Sequence, residues 1–140
     1  MGNESQPPVT VLDVVAWICI QNKHLLCART RGNDVFYLPG GKRESGESDW
    51  TSTAREVKEE LGVQLVDGTL TEVLIVEEKA HGFTEPTRVV MKCFQADYAG
   101  ELKPCSEIAE IAWLRYAEKS KCAPATQRVL EHLAKQQLID

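Results

Sequence analysis

Three glutamates follow a glycine-rich turn at spacings that bring their carboxylates together. Glu56, Glu59 and Glu60 come after the turn at residues 39–41. At roughly 100° per residue of an α-helix, the three side chains fall within an arc of about 100°. Like charges three and four residues apart repel by about 0.2–0.5 kcal/mol per pair, so a helix gains nothing from them unless a cation lies there. Carboxylate oxygens as ligands indicate a hard divalent cation such as Mg²⁺ or Mn²⁺.

A helix over residues 48–61 is predicted to carry these carboxylates. Its apolar residues recur at spacings of four, three and four and form one stripe: Trp50, Ala54, Val57 and Leu61. The glutamates lie to one side of this stripe, so one helix face is expected to pack on the core and another to hold metal. Gly62 follows as a natural C-cap, because glycine adopts the left-handed conformation easily.

The whole stretch from Gly41 to Val63 follows the pattern G-x5-E-x7-R-E-U-x-E-E-x-G-U, in which U is a bulky aliphatic residue. Seven positions have a fixed residue type: Gly41, Glu47, Arg55, Glu56, Glu59, Glu60 and Gly62. On these residues the chain resembles the Nudix hydrolases, in particular the short MutT-like group. The resemblance implies an α/β fold, the Nudix-type α/β/α sandwich with a mixed β-sheet. It also implies an enzyme dependent on Mg²⁺, with Mn²⁺ as a substitute. In such enzymes water attacks a phosphorus of a nucleoside diphosphate linked to another moiety.

The resemblance also assigns roles within the signature. It implies that Glu59 and Glu60 are metal ligands together with the backbone carbonyl of Gly40, and that Glu56 is a further ligand or the general base. Glu59 or an acid from a loop stays open as an alternative base. The remaining signature residues are expected to support the site structurally, with an ion pair that holds the loop against the helix: Glu47 and Arg55, beside Gly41 and Gly62.

An acid outside the signature often completes such a site, and Glu107 is the candidate for this catalytic role. It lies six residues before Trp113 in the segment SEIAEIAW. MutT-type members resemble the chain here, with a comparable acid before a comparable tryptophan. The alternatives are acids in the same region or on the preceding loop: Glu78, Glu85, Glu101 and Glu110.

Candidate substrate contacts come from a basic residue and from aromatic rings. Arg29 ends a predicted strand at a position where MutT-like members place a basic residue against substrate phosphates, so the resemblance implies a substrate-binding role. Arg31 is an alternative for that role. Three aromatic residues could stack on a nucleobase: Phe36, Tyr37 and Phe83. For each of them, packing in the core is the favoured interpretation.

The expected substrate is a nucleoside triphosphate or a related nucleotide. The motifs typical of the Nudix subfamilies that act on ADP-ribose, dinucleoside polyphosphates and NADH are missing. The motif of the coenzyme A subfamily is matched only in its general position. Residues 124–126 read Pro-Ala-Thr, the nearest counterpart of the Pro-Ala-Asn segment with which MutT reads oxidised guanine. A hydroxyl replaces an amide that presents both a donor and an acceptor. This difference predicts a specificity that is broader than, or different from, that for oxidised guanine nucleotides.

Two other classes of function compete with hydrolysis of a small nucleotide. A non-hydrolytic Nudix-like domain would bind nucleotides or nucleotide sugars, but such domains often lose signature glutamates, and this chain keeps all of them. Processing of RNA ends is disfavoured because the chain is acidic and has no basic patch for a long RNA.

Composition narrows the partners and the compartment. The net charge of −5 makes duplex nucleic acid or an anionic membrane an unexpected partner. Five cysteines, an odd number without a C-x-x-C pair, indicate reduced thiols. The chain lacks a bilayer-length apolar run and the features of a signal peptide, so a cytoplasmic protein is expected, as a monomer or a homodimer.

The rest of the 140-residue chain is predicted to supply one domain at residues 9–140, after a loose tail at residues 1–8. Apolar, β-branched runs predict a central strand at 9–20, a hairpin partner at 24–29 and a short strand at 36–38. Further strands are expected at 70–77, 87–98 and 108–114. A closing helix is expected at 123–137, with Val129, Leu130 and Leu133 on its buried side.

Overall fold

The structure is a computed structural model that describes residues 9–79 and 86–140. The expected tail at residues 1–8 and two candidate residues, Phe83 and Glu85, lie outside the described residues. The described strands are β1 (Thr10–Trp17), β2 (Ile20–Gln21), β3 (His24–Thr30), β4 (Gly40–Lys42), β5 (Gln64–Leu65), β6 (Thr71–Lys79), β7 (Thr87–Gln95), β8 (Tyr98–Ala99) and β9 (Ile108–Leu114). The helices are α1 (Asp49–Leu61), a 3-10 helix (Tyr116–Lys121) and α2 (Pro124–Lys135).

The principal sheet is mixed and has the strand order β4-β1-β7-β6. Its central pair, β1 and β7, is parallel, while β4 on β1 and β6 on β7 are antiparallel. A second sheet has the order β2-β3-β9, and β5 pairs with β8. The mixed sheet expected from the sequence is therefore present.

The two helices cover opposite sides of the principal sheet. Ala16 and Trp17 are neighbours on β1 but belong to different apolar clusters, because successive side chains of a strand point to opposite faces. The Trp17 cluster contains Val57 and Leu61 of α1. The Ala16 cluster contains the three α2 residues predicted to be buried, Val129, Leu130 and Leu133. Full burial of an aliphatic side chain of this size contributes about 1.5–3 kcal/mol.

Helix α1 ends at Leu61 as predicted and begins at Asp49, one residue later than predicted. Ser48 is the N-cap, and its Oγ accepts a hydrogen bond from the Thr51 N–H at 3.1 Å. Gly62 is the C-cap in the left-handed conformation, with φ 71°, and its N–H donates to the Lys58 carbonyl at 3.0 Å. No helix in the described part of the chain is long and apolar enough to cross a membrane.

The predicted strand at 9–20 and its hairpin were wrong in detail. β1 ends at Trp17, and the chain then passes from one sheet to the other. The Ile18 N–H still donates to the Phe94 carbonyl, whereas the Cys19 carbonyl accepts from the Leu26 N–H of β3. The hairpin partner of β3 is thus the short β2 and not β1. Because the chain is buried throughout this crossing, its apolar run gives no sign of the change of sheet.

The predicted strand at 36–38 is replaced by isolated bridges, from Tyr37 to Ala28 and from Phe36 to Cys122. The regular strand in this region is β4, two of whose residues were expected to form a turn. β4 pairs with β1 through the register Ala16–Gly40 and Val15–Gly41. The glycine-rich segment is therefore held by main-chain pairing at the sheet edge.

Candidate active site

The signature glutamates lie on one face of α1 and differ in exposure. Glu59 is open to solvent, with 56% of its side chain exposed, whereas the Glu56 side chain is only 14% exposed. Glu60 faces inward, and its Oε1 accepts a hydrogen bond from the Gly40 N–H at 3.0 Å. The structure therefore brings the carboxylates of α1 against the glycine-rich strand β4.

Gly40 and Gly41 of β4 leave room that a side chain would take, Gly40 against the backbone of β1 and Gly41 against the Glu56 carboxylate. Gly40 has φ 150°, and a Cβ there would collide with the Val15 carbonyl oxygen. At Gly41 a Cβ would lie 2.5 Å from Oε2 of Glu56. The two glycines thus let β4 approach both the sheet and the Glu56 carboxylate closely.

Arg55 joins the loop before α1 to the glutamate face. Its Nε and Nη2 donate to the two carboxylate oxygens of Glu47, each at 2.8 Å. Its Nη1 donates to Glu56 Oε1 at 2.7 Å, and Nη2 also reaches the Lys42 carbonyl at 3.2 Å. The ion pair expected between Glu47 and Arg55 is present in bidentate form, the strongest arrangement for this pair of groups.

Two carboxyl groups of the site, those of Glu60 and Glu47, have pKa values shifted in opposite directions. Burial raises the pKa of Glu60 to about 8; the Gly40 hydrogen bond opposes this shift, and the charges of Glu56 and Glu59 add to it. By contrast, the pKa of Glu47 is lowered to about 2, first by the Arg55 hydrogen bonds and then by the Glu44 N–H. The site face of α1 therefore favours added positive charge.

The chemistry of the donors fits a hard divalent cation, although the side chains are not gathered around one point. Among residues 9–79 and 86–140, no three His, Cys, Asp or Glu side chains form a ready metal cage. Glu56 is turned to Arg55 and Glu60 to Gly40. The carboxylate oxygens on this helix face are nevertheless the hard donors that Mg²⁺ takes, one or two at a time beside water and phosphate oxygens.

A cavity of about 280 Å³ opens beside Glu60. Its walls are mostly apolar, from β1 and β7: Leu12, Val14, Ala16, Val89 and Met91. Four polar residues also line the cavity, Thr30, Asn33, Tyr37 and Thr126, and so does the charged residue Lys79. Residues 124–126, singled out in the sequence, line this cavity at the start of α2, and Thr126 Oγ1 accepts from the Leu38 N–H at 3.3 Å. Sequence reasoning missed Thr30, Asn33 and Lys79, which belong to no motif.

Arg29 is not brought to the cavity. Its Nε donates to Glu110 Oε1 at 2.8 Å, across the β3–β9 pair, and its Nη1 donates to the Asn33 carbonyl at 3.0 Å. It is not among the described residues that line the cavity. The substrate-binding role stays a prediction, and it would require Arg29 to leave Glu110.

Glu107 is exposed and is not among the described residues that line the cavity. Its carbonyl accepts from the Arg31 N–H at 2.9 Å, and the next residue, Ile108, lines the cavity. The catalytic role of Glu107 therefore stays a prediction. Three alternative acids lie in the described part of the chain. Glu101 is exposed, Glu110 forms an ion pair with Arg29, and Glu78 lies 3.7 Å from Arg128.

Two of the aromatic candidates for stacking on a nucleobase are described. Phe36 packs on the core, and Tyr37 lines the cavity.

Comparisons with known proteins show the family of this chain. The model of the NUDIX domain matches residues 11–134. A "MutT-like protein" of Streptomyces ambofaciens is 29% identical over 119 residues, which cover 84% of this chain and 71% of that protein. The "Uncharacterized Nudix hydrolase YvcI" of Bacillus subtilis (strain 168) is 33% identical over 107 residues, 73% of this chain and 66% of that protein.

Among solved structures, that of the E. coli ORF135 protein superposes with a TM-score of 0.72 at 23% identity, over 92% of each chain. This similarity confirms the α/β fold with a mixed sheet between helices. The chain belongs to the Nudix hydrolase family, as its signature indicates. It is therefore an enzyme of the hydrolase class.

Proposed function

We propose that this chain is a metal-dependent pyrophosphohydrolase that cleaves a nucleoside triphosphate or a related nucleotide by attack of water on phosphorus. The observation that carries the proposal is the position of Glu60. It stands on the glutamate face of α1, accepts from Gly40 and lines the cavity. A ligand in the cavity would therefore have its phosphates beside the three carboxylates.

Glu59, Glu60 and the Gly40 carbonyl would hold Mg²⁺, with Mn²⁺ as a substitute. A bound divalent ion neutralises pyrophosphate charge and lowers the pKa of its water. Glu56 is held by Arg55 through one oxygen, so the other is available as a ligand or as the acceptor of the water proton. Glu107, which precedes the cavity-lining Ile108 in sequence, is the alternative acid for that proton transfer.

The cavity suits a nucleobase. Its volume of about 280 Å³ lies just below the ~300–1,000 Å³ that is typical of ligand pockets. A base would pack on the apolar walls of β1 and β7, with its edges toward Asn33 and Thr126. Because Thr126 offers a single hydroxyl that already accepts from the Leu38 N–H, we propose a broader specificity than that for oxidised guanine nucleotides.

The test is phosphate and pyrophosphate release with Mg²⁺ across nucleoside triphosphates, an oxidised guanine nucleotide, nucleotide sugars and ADP-ribose. The variants Glu59→Gln and Glu60→Gln run in parallel, with Glu72→Gln, at an exposed position of β6 that is not among the candidate acids, as the matched control. Turnover that is lost in the first two variants and kept in the third supports the proposal. A strong preference for the oxidised guanine nucleotide would overturn the specificity part. Tight nucleotide binding with no turnover of any substrate would favour the non-hydrolytic class instead.

A further inference from the structure

Arg43 is a charged residue outside the fixed positions of the signature that the fold nevertheless buries. It follows β4 directly, and its N–H donates to the Asp13 carbonyl at 3.1 Å, which extends the pairing of β4 with β1. Only 16% of its side chain is exposed. An arginine loses hydration when it is placed this way, so its guanidinium needs compensating partners.

The guanidinium of Arg43 has partners on three different segments. Its Nε donates to Asp13 Oδ2 at 3.2 Å on β1, and its Nη2 lies 2.7 Å from Asp49 Oδ1 in the first turn of α1. Its Nη1 makes a longer contact, 3.5 Å, with the Glu47 carbonyl in the intervening loop. Asp49 in turn lies 3.9 Å from Nζ of Lys92 on β7. The planar fork of arginine presents its donors in fixed directions toward separate acceptors, whereas the ammonium of lysine is a compact point charge on a flexible stem.

These contacts place Arg43 at one end of a chain of bonds that leads to Glu56. Arg43 holds the main chain of Glu47 and the start of α1. Glu47 binds Arg55 through both carboxylate oxygens, and Arg55 donates to Glu56 at 2.7 Å. Arg43 and Arg55 therefore hold Glu47 from its main chain and from its side chain.

We propose that Arg43 is a positioning residue for the catalytic glutamates, a role that rests on the hydrolase activity proposed above. It does not line the cavity among the described residues, so its effect on chemistry passes through Glu47 and Arg55. Loss of Arg43 frees the loop at residues 43–48 and the first turn of α1. Glu56 then samples geometries in which it holds neither metal nor the water proton.

The experiment compares Arg43→Gln and Arg43→Lys with Arg115→Gln, a control arginine whose ion pair with Glu118 lies at the 3-10 helix. For Arg43→Gln we expect kcat to fall about tenfold, as is typical for partners of metal-site residues, with KM for the nucleotide unchanged. The Mg²⁺ concentration for half-maximal rate should rise. Arg43→Lys should recover part of kcat, because an ammonium retains one carboxylate contact.

Two readouts do not depend on turnover. In EDTA, amide hydrogen exchange at residues 43–48 should be faster in Arg43→Gln than in the wild-type protein. Binding of Mn²⁺ without substrate, followed by electron paramagnetic resonance, should be weaker. If Arg43→Gln does not fold, Asp49→Asn removes a single partner and should show the same effects in smaller measure.

The outcomes separate the two proposals. Equal kcat, Mg²⁺ dependence and hydrogen exchange in Arg43→Gln and Arg115→Gln, with an active wild-type enzyme, would overturn the role of Arg43 alone. An inactive wild-type protein would overturn the proposed hydrolase function. In that case the exchange and Mn²⁺ measurements still decide whether Arg43 orders the loop and the glutamate face.

Discussion

Arg55 lies between Glu47 and Glu56 and donates to both carboxylates, at 2.8 Å to Glu47 and 2.7 Å to Glu56. One guanidinium thereby joins a residue of the loop to a residue of the glutamate face. The Glu47 hydrogen bonds are the first cause of the raised pKa of Arg55, so its charge is secure at any accessible pH. The geometry of Glu56 consequently depends on Arg55 and Glu47, which are not among the residues proposed to hold the metal.

Glu47→Gln should reduce the acid sensitivity of folding. The pKa of Glu47 is lowered from 4.5 to about 2 in the folded protein, so its stabilising contribution is present above pH 4.5 and is lost as the pH falls toward 2. The stability of the wild-type protein should therefore drop more steeply over this window than that of Glu47→Gln. Urea unfolding between pH 2 and 6, with Glu101→Gln as control, measures the difference. Parallel pH profiles for all three proteins would contradict the assignment.

Glu60→Gln should stabilise the metal-free protein at neutral pH while it abolishes turnover. The folded pKa of Glu60 is raised to about 8 from 4.5, so the contribution of this group is fully present below pH 4.5 and is lost as the pH rises through 8. Thermal unfolding in EDTA should show the wild-type protein losing stability over that window and Glu60→Gln losing less. Mg²⁺ should raise the wild-type Tm more than that of the variant, since ligands that bind only the folded state stabilise it. An identical response to pH and Mg²⁺ would count against this account.

Gly41→Ala should impair activity more than stability. The added Cβ lies 2.5 Å from Glu56 Oε2, so the flexible carboxylate must move away from its position at the site. Gly40→Ala is the matched comparison, because its Cβ meets the Val15 carbonyl in a backbone conformation that L residues rarely adopt. We expect Gly41→Ala to fold with a reduced kcat and Gly40→Ala to lose stability as well. Chemical unfolding alongside steady-state rates separates the two; full activity in Gly41→Ala would refute the expectation.

Thr53→Val should stabilise the protein. Thr53 is fully buried in α1, and its Oγ1 has no hydrogen-bond partner within the described part of the chain. A buried polar group without a partner costs about 1–3 kcal/mol, and valine has nearly the same shape. Thr126→Val provides the opposite case, since it removes the acceptor of the Leu38 N–H and should destabilise by a similar amount. Urea denaturation of both variants measures the change in the free energy of unfolding, which should rise in Thr53→Val and fall in Thr126→Val. A loss of stability in Thr53→Val would be inconsistent with the unpaired hydroxyl.

The local features of the site follow from the sequence. The glutamates share a face because helical periodicity places residues three and four apart side by side, and Gly62 ends the helix as predicted. These are interactions among residues close in the chain, so the pattern of residue types is enough to predict them. The aliphatic stripe likewise predicts which side of α1 is buried, and Val57 and Leu61 are fully buried.

Only the tertiary structure decides what faces the glutamates. Gly40 meets Glu60, 20 residues away, because β4 pairs with β1, and Arg29 is held by Glu110, 81 residues away, because β3 pairs with β9. The change of sheet after Trp17 is hidden in a continuous apolar run. Strand pairing depends on the packing of the whole chain, and a sequence pattern records only that a strand has a buried face. The candidate metal ligands could therefore be predicted from one segment of the sequence. The cavity beside them and the ion-pair partners of the charged residues are supplied by strands that are distant in sequence.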